Sequence, residues 1–126
     1  MPHYIENKTK QRIPRVSFEV IKNYILGQDY ELSLVFVNQT TSKKLNSRYR
    51  HKNWPTNILS FPLSDREGEI LIDIETVKKE VAQLKENKKK YLTYIFIHGL
   101  LHLKGFEHGS KMERVEKDIK ERFSEK

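Results

Sequence analysis

Apolar and polar residues follow two rhythms along this chain. Between residues 30 and 38, Leu32, Leu34 and Phe36 alternate with Ser33, Val35 and Val37, the period of two that marks a strand with a buried face. Residues 58–61 form a second apolar run, stopped by Pro62, and residues 69–73 a third. With only the polar, turn-like stretch 63–68 between them, these two runs predict antiparallel neighbours. A short first strand is expected over residues 3–7. Helical spacing takes over elsewhere. Pro14 is expected to open a helix that ends at Gly27, with Val16, Val20 and Tyr24, flanked by Phe18, Ile21 and Ile25, as its wide apolar face. Thr40 or Thr41 caps a shorter helix through Arg50, with Leu45 and Tyr49 turned inward. Ile74, Val77, Val81 and Leu84 define a third helix, closed by a solvated connection over residues 85–90. Residues 91–103 are apolar almost all round, as a helix in the middle of a domain must be. A last helix after Gly109 turns Met112, Val115, Ile119 and Phe123 inward, for packing alone. The sum is an α+β fold: a small mixed β-sheet with helices packed on it around one central buried helix.

That central helix carries the candidate chemistry. His98 and His102 stand four residues apart, which places them on one helical face roughly 5–6 Å apart at Cβ. Gly105 follows where a residue free to take positive φ ends the helix, and the reversal can return His108 over the same face. Two histidines alone at this spacing would be read as side chains satisfied within a half-buried helix. Three of the chain's five histidines within eleven residues, with glycine at the turn, point instead to metal binding. Three neutral imidazoles with an open fourth position is the arrangement that catalytic zinc uses. The spacing equals that of the metzincin proteases, H-E-x-x-H-x-x-G-x-x-H, with one letter missing. Their glutamate takes a proton from the metal-bound water; here Gly99 stands in its place, so peptide hydrolysis by that route is not expected.

Composition narrows the setting. At 126 residues, one domain over 1–126 is expected, large enough for a continuous core. Cysteine is absent, which excludes disulfides and thiolate ligands and leaves histidine and carboxylate to hold any zinc. No apolar run approaches the roughly 18 residues of a membrane span, and the first residues lack a signal-peptide pattern, so a soluble, cytoplasmic protein is expected. The net charge of +7 suits a polyanionic partner as well as it suits simple solubility. Lys43, Lys44, Arg48, Arg50, His51 and Lys52 concentrate that charge beside Trp54, a ring able to stack on a base, although a solvated helix face would look the same.

The stretch His98-Gly99-Leu100-Leu101-His102-Leu103-Lys104-Gly105-Phe106-Glu107-His108 resembles the H-G-x-L-H-L-x-G-Y-D-H signature of the YbeY endoribonucleases. Leu45-Asn46-Ser47-Arg48-Tyr49-Arg50 and the run from Pro55 to Pro62 resemble their second signature, L-N-x-x-Y-R followed by P-T-N-V-L-S-F-P. The resemblance implies a bacterial, cytosolic, zinc-dependent endoribonuclease specific for single-stranded RNA. It would act in ribosomal RNA maturation, at the 3′ end of the small-subunit RNA, and in ribosome quality control, with the small subunit or its proteins as possible partners. It also implies that one Zn²⁺ is held by His98, His102 and His108, and that Arg50 is the functional arginine. Three positions depart from the pattern: Phe106-Glu107 stands for Tyr-Asp, Glu69 for aspartate, and Tyr94 for a frequent histidine.

In that reading Arg50 stabilises charge on the phosphate. No side chain replaces the missing base by spacing; Glu107, Glu69 and the 2′-hydroxyl of RNA remain open. Two other classes compete. A non-catalytic RNA- or ribosome-binding assembly factor with structural zinc would have a fourth protein ligand. A metallohydrolase of peptides or small molecules would have an uncharged cleft.

Overall fold

A computed structural model describes residues 4–124. Nine elements follow one another: β1 (Ile5–Asn7), α1 (Phe18–Leu26), β2 (Glu31–Val37), α2 (Gln39–Arg50), β3 (Ile58–Ser64), β4 (Glu67–Asp73), α3 (Ile74–Leu84), α4 (Lys88–Lys104) and α5 (Ser110–Arg122). The sheet order is β1-β2-β4-β3, parallel except for the β3/β4 hairpin, so the expected mixed sheet and antiparallel pair are both present. The expected first strand lies at Ile5–Asn7; His3 falls outside the described residues.

Strand alternation divides the sheet into two faces. Leu34, Phe36, Ile70 and Ile72 are fully buried against α1, α3 and α4, and Phe18 sets its ring edge-on to Phe96 of α4 at 5.0 Å. Glu69 and Leu71 point the other way, where Asn38, Thr41 and Leu45 line a shallow groove with them at α2. The central position of α4 is as predicted, with Leu92, Phe96, Ile97 and Leu100 fully buried. Among the described residues no helix is long and apolar enough to cross a membrane.

Several expected boundaries and faces shift, each for an identifiable reason. Helix α1 begins at Phe18, not at Pro14: residues 12–17 have no helical turn, and Ile13 and Val16 pack on the core from there. Only Phe18, Ile21, Lys22 and Ile25 of α1 turn inward, so Val20 and Tyr24 lie on its exposed side. Asn38, not Thr40 or Thr41, caps α2, because it is the last extended residue and its side chain accepts from the Thr41 N–H at 3.0 Å. The inward positions of α2 are Ser42 and Asn46; Tyr49, expected inside, is exposed. Ser42 donates to the buried carboxylate of Asp73, which also caps α3 through the Thr76 N–H at 2.9 Å. Pro62 does not end its strand. β3 is an edge strand, where a missing N–H costs no ladder bond, and pairing continues to Ser64↔Glu67. Helix α4 starts earlier than expected, at Lys88, since Asn87 caps it through the Lys90 N–H. Leu84, at the end of α3, is exposed.

Candidate metal centre

Helix α4 stops where the sequence requires. Gly105 takes φ 107°, its N–H bonds to the His102 carbonyl at 3.0 Å, and the Phe106 N–H reaches the Leu101 carbonyl at 3.0 Å. This tight reversal returns the chain and sets the ring centroid of His108 5.1 Å from that of His98 and 4.7 Å from that of His102. One nitrogen from each ring lies within 4.8 Å of the other two, and among the described residues no carboxylate joins the three. His98 and His102 are half-buried, and His108 is exposed.

Hydrogen bonding settles which nitrogens face one another. The Phe106 carbonyl can only accept, so His102 donates Nδ1–H to it at 3.1 Å. His98 places Nδ1 2.9 Å from the Glu116 carboxylate, which likewise accepts. Both remaining Nε2 atoms therefore carry lone pairs in the neutral rings, and they stand only 3.0 Å apart. Two lone pairs at that distance repel unless they share a cation. A tetrahedral ion with bonds of about 2.0–2.1 Å would put its ligand nitrogens roughly 3.3 Å apart, close to the spacing of the His98–His102 pair, with a nitrogen of His108 within 4.8 Å of both. Burial, and then the neighbouring His98 and His108, push the His102 pKa below its ordinary value, which favours the neutral, ligating form.

A cleft of about 270 Å³ opens over these rings, and Arg50, at the C-terminal end of α2, lines it with them. The four residues singled out in the sequence thus border one space, although α2 and α4 cover opposite faces of the sheet. They meet because β3 is the edge strand and the chain from Arg50 passes around it through Thr56 and Asn57. Beneath the cleft, Glu80 accepts from Asn57 Nδ2 and from the Tyr91 hydroxyl, each at 3.0 Å. Burial, with Glu80 beside it, pushes the Tyr91 pKa up to about 12, so the phenol stays neutral.

The model of the family described as Endoribonuclease YbeY matches residues 3–124. The chain belongs to that family. Endoribonuclease YbeY of Colwellia psychrerythraea is 38% identical over 97 residues, 71% of this chain and 63% of that protein. Its counterpart from Aliarcobacter butzleri is 34% identical over 110 residues, 82% of this chain and 77% of that protein. The chain spans less than two thirds of the length of the Colwellia relative. The solution structure of a Thermotoga maritima protein, 25% identical, matches with a TM-score of 0.67 over 94% of this chain and 87% of that one.

Two features of this YbeY-family centre are set by packing: one residue that the sequence did not single out, and the place of one that it marked only as a departure from the family pattern. The first is Glu116, buried on α5, which holds His98 and hydrogen-bonds with Tyr94. The last helix therefore does more than pack. A carboxylate in register with Met112, Ile119 and Phe123 on an otherwise apolar stripe was the available signal. Second, Tyr94, where the family pattern often has histidine, lines the cleft, and burial followed by Glu116 raises its pKa. Of the two longer carboxylates considered for proton transfer, Glu69 lies on the sheet face turned away from α4, and Glu107 is exposed. Removing the contact to His98 with Glu116→Ala is expected to weaken metal affinity about 10- to 100-fold, measured by competition with a chromophoric chelator. An unchanged affinity would show that Glu116 serves packing only.

Proposed function

We propose that this chain is a zinc-dependent endoribonuclease for single-stranded RNA, acting in the cytoplasm on ribosomal RNA, with 3′-end maturation of the small-subunit RNA as its task. Contact with the small subunit or its proteins, and ribosome quality control, belong to the same proposal. The observation that carries it is the shared cleft, which the converging His98, His102 and His108 line together with Arg50.

The three histidines would hold the ion, since their nitrogens are borderline ligands and no thiolate competes. When bound, zinc supplies a Lewis acid for a phosphoryl oxygen and lowers the pKa of water. The protein's own groups supply the rest. Glu116 and the Phe106 carbonyl fix the tautomers and the ring planes. The Arg50 guanidinium offers two donors to the non-bridging oxygens of a phosphodiester as negative charge develops there. Arg50 brings a cation to the cleft lining, and the net charge of +7 draws a polyanion towards the protein.

The rival classes have less support. A structural zinc would call for a fourth protein ligand, which the cluster lacks among the described residues. A peptidase would call for a base at position 99 and has no use for Arg50. In a cleavage assay with an unstructured RNA oligonucleotide and zinc-loaded protein, Arg50→Glu is expected to lower kcat/KM about 10²- to 10³-fold with metal content unchanged. Cleavage at the parent's rate would remove Arg50 from the mechanism. Absence of cleavage by the zinc-loaded parent would remove the nuclease reading.

A further inference from the structure

The stretch between α2 and β3 is pinned throughout, yet it displays a large aromatic ring. His51 closes α2 in the left-handed conformation at φ 58°, and its N–H bonds to the Ser47 carbonyl at 3.1 Å. Asn46, itself buried, donates from Nδ2 to the Trp54 carbonyl at 2.8 Å. Ser47 donates to Asn53 at 3.1 Å, and the Asp73 N–H reaches the Asn57 carbonyl at 3.0 Å. On this fixed backbone Trp54 remains 58% exposed, with the Lys52 ammonium 5.8 Å from its ring centre.

A second exposed ring immediately precedes Arg50 in the chain. Tyr49 is 57% exposed and backed by Phe61 at 5.3 Å in edge-to-face contact, with the Arg48 guanidinium 5.7 Å from its ring. Tyr49 immediately precedes Arg50, and Trp54 is two residues from Thr56; both neighbours line the cleft. Each aromatic therefore stands one or two residues along the chain from a residue that lines the cleft, and each is paired with a cation. Ordering a loop so that it holds tryptophan in water gains nothing for folding, since its apolar surface stays wet. A rigid aromatic beside cations is, however, the element that holds single-stranded nucleic acid: bases stack on the ring and cations follow the phosphates.

We propose that Trp54 and Tyr49 form a base-stacking platform that seats nucleotides flanking the scissile phosphate, and that this platform selects unpaired RNA. A paired base cannot leave its own stack without an added cost, so the duplex is disfavoured although its phosphates carry the same charge. The inference rests on the nuclease reading, and the two can fail separately.

Trp54 is the only tryptophan in the chain, so its emission reports on its own ring. The zinc-loaded protein is titrated with an unstructured 2′-O-methyl decanucleotide, and with the same strand in a duplex, with oligonucleotide integrity checked afterwards. Cleavage of the matching RNA is measured alongside. Saturable quenching by the single strand and not by the duplex is expected. Trp54→Ala should weaken single-strand affinity about 5- to 100-fold and raise KM more than it lowers kcat, Tyr49→Ala should act in the same sense, and Trp54→Phe should restore most of the affinity. If the protein cuts RNA while Trp54 emission stays unchanged and Trp54→Ala keeps the parent's KM, the platform is overturned and the nuclease reading stands. If the parent neither binds nor cuts RNA, both fall.

Discussion

Replacing His102 with alanine is expected to strip the metal from the protein and lower RNA cleavage at least about 10³-fold, more than loss of one hydrogen-bond donor costs. His102 is the middle ring of the histidine cluster. Its ring lies 4.6 Å from that of His98 and 4.7 Å from that of His108, and its Nε2 is the partner that His98 faces at 3.0 Å. Without it the two remaining imidazoles form a weak, two-point site. The readouts are metal content after gel filtration and turnover of an unstructured RNA. A thermal melt adds a control: a ligand that binds only the folded state at 100 times its Kd stabilises by about 2.7 kcal/mol, and that increment should vanish in the variant. A His102→Ala protein that has lost its metal but cuts RNA like the parent would show that the activity belongs to something else.

The second large effect concerns the position that separates this chain from the metzincin pattern. Gly99→Glu, which restores the protease letter, is expected to destabilise the fold by more than about 4 kcal/mol and to yield no peptidase. A Cβ built on Gly99 would lie 2.5 Å from Ile58 Cδ1, 3.1 Å from Ser60 Oγ and 3.3 Å from Ile70 Cδ1. Glycine inside a helix costs about 1 kcal/mol relative to alanine, so its presence in α4 needs a compensating reason. That reason is the approach of β3, whose Ser60 hydroxyl donates to the Gly99 carbonyl at 3.2 Å. Gly99→Ala should therefore cost only about 1–2 kcal/mol, as overpacking against a movable Ile58 is partly offset by helix propensity. Urea melts of the two variants decide the matter, and a Gly99→Glu protein as stable as the parent would show that the strand yields.

Gly99 also marks the limit of reading by spacing. The sequence shows that the metzincin base is missing; only the packed strand explains why no side chain fits there.

Much of the architecture follows from local periodicity. The alternation of Leu32, Leu34 and Phe36 and the unbroken apolar character of residues 91–103 leave a central strand and a central helix as their only economical burial. The histidine cluster was equally legible, because HxxxH on a helix and a glycine turn fix geometry within eleven residues. Faces and caps decided by distant partners were not. Tyr49 looks like an inward residue by spacing, but Ser42 and Asn46 take the inner positions because Asp73 and the Trp54 carbonyl wait there. Pro62 looks like a strand breaker until the sheet order shows that it lies on an edge.

By itself, then, the sequence determined the α+β layout and the three imidazoles on one helical turn and the reversal after it, since both depend on contacts a few residues apart. The tertiary structure alone decided that Glu116, from another helix, grips His98 and that the chain around the edge strand brings Arg50 into contact with the cleft that the histidines line. Those contacts join positions that are distant in the chain, and no local pattern encodes a distance closed only by packing.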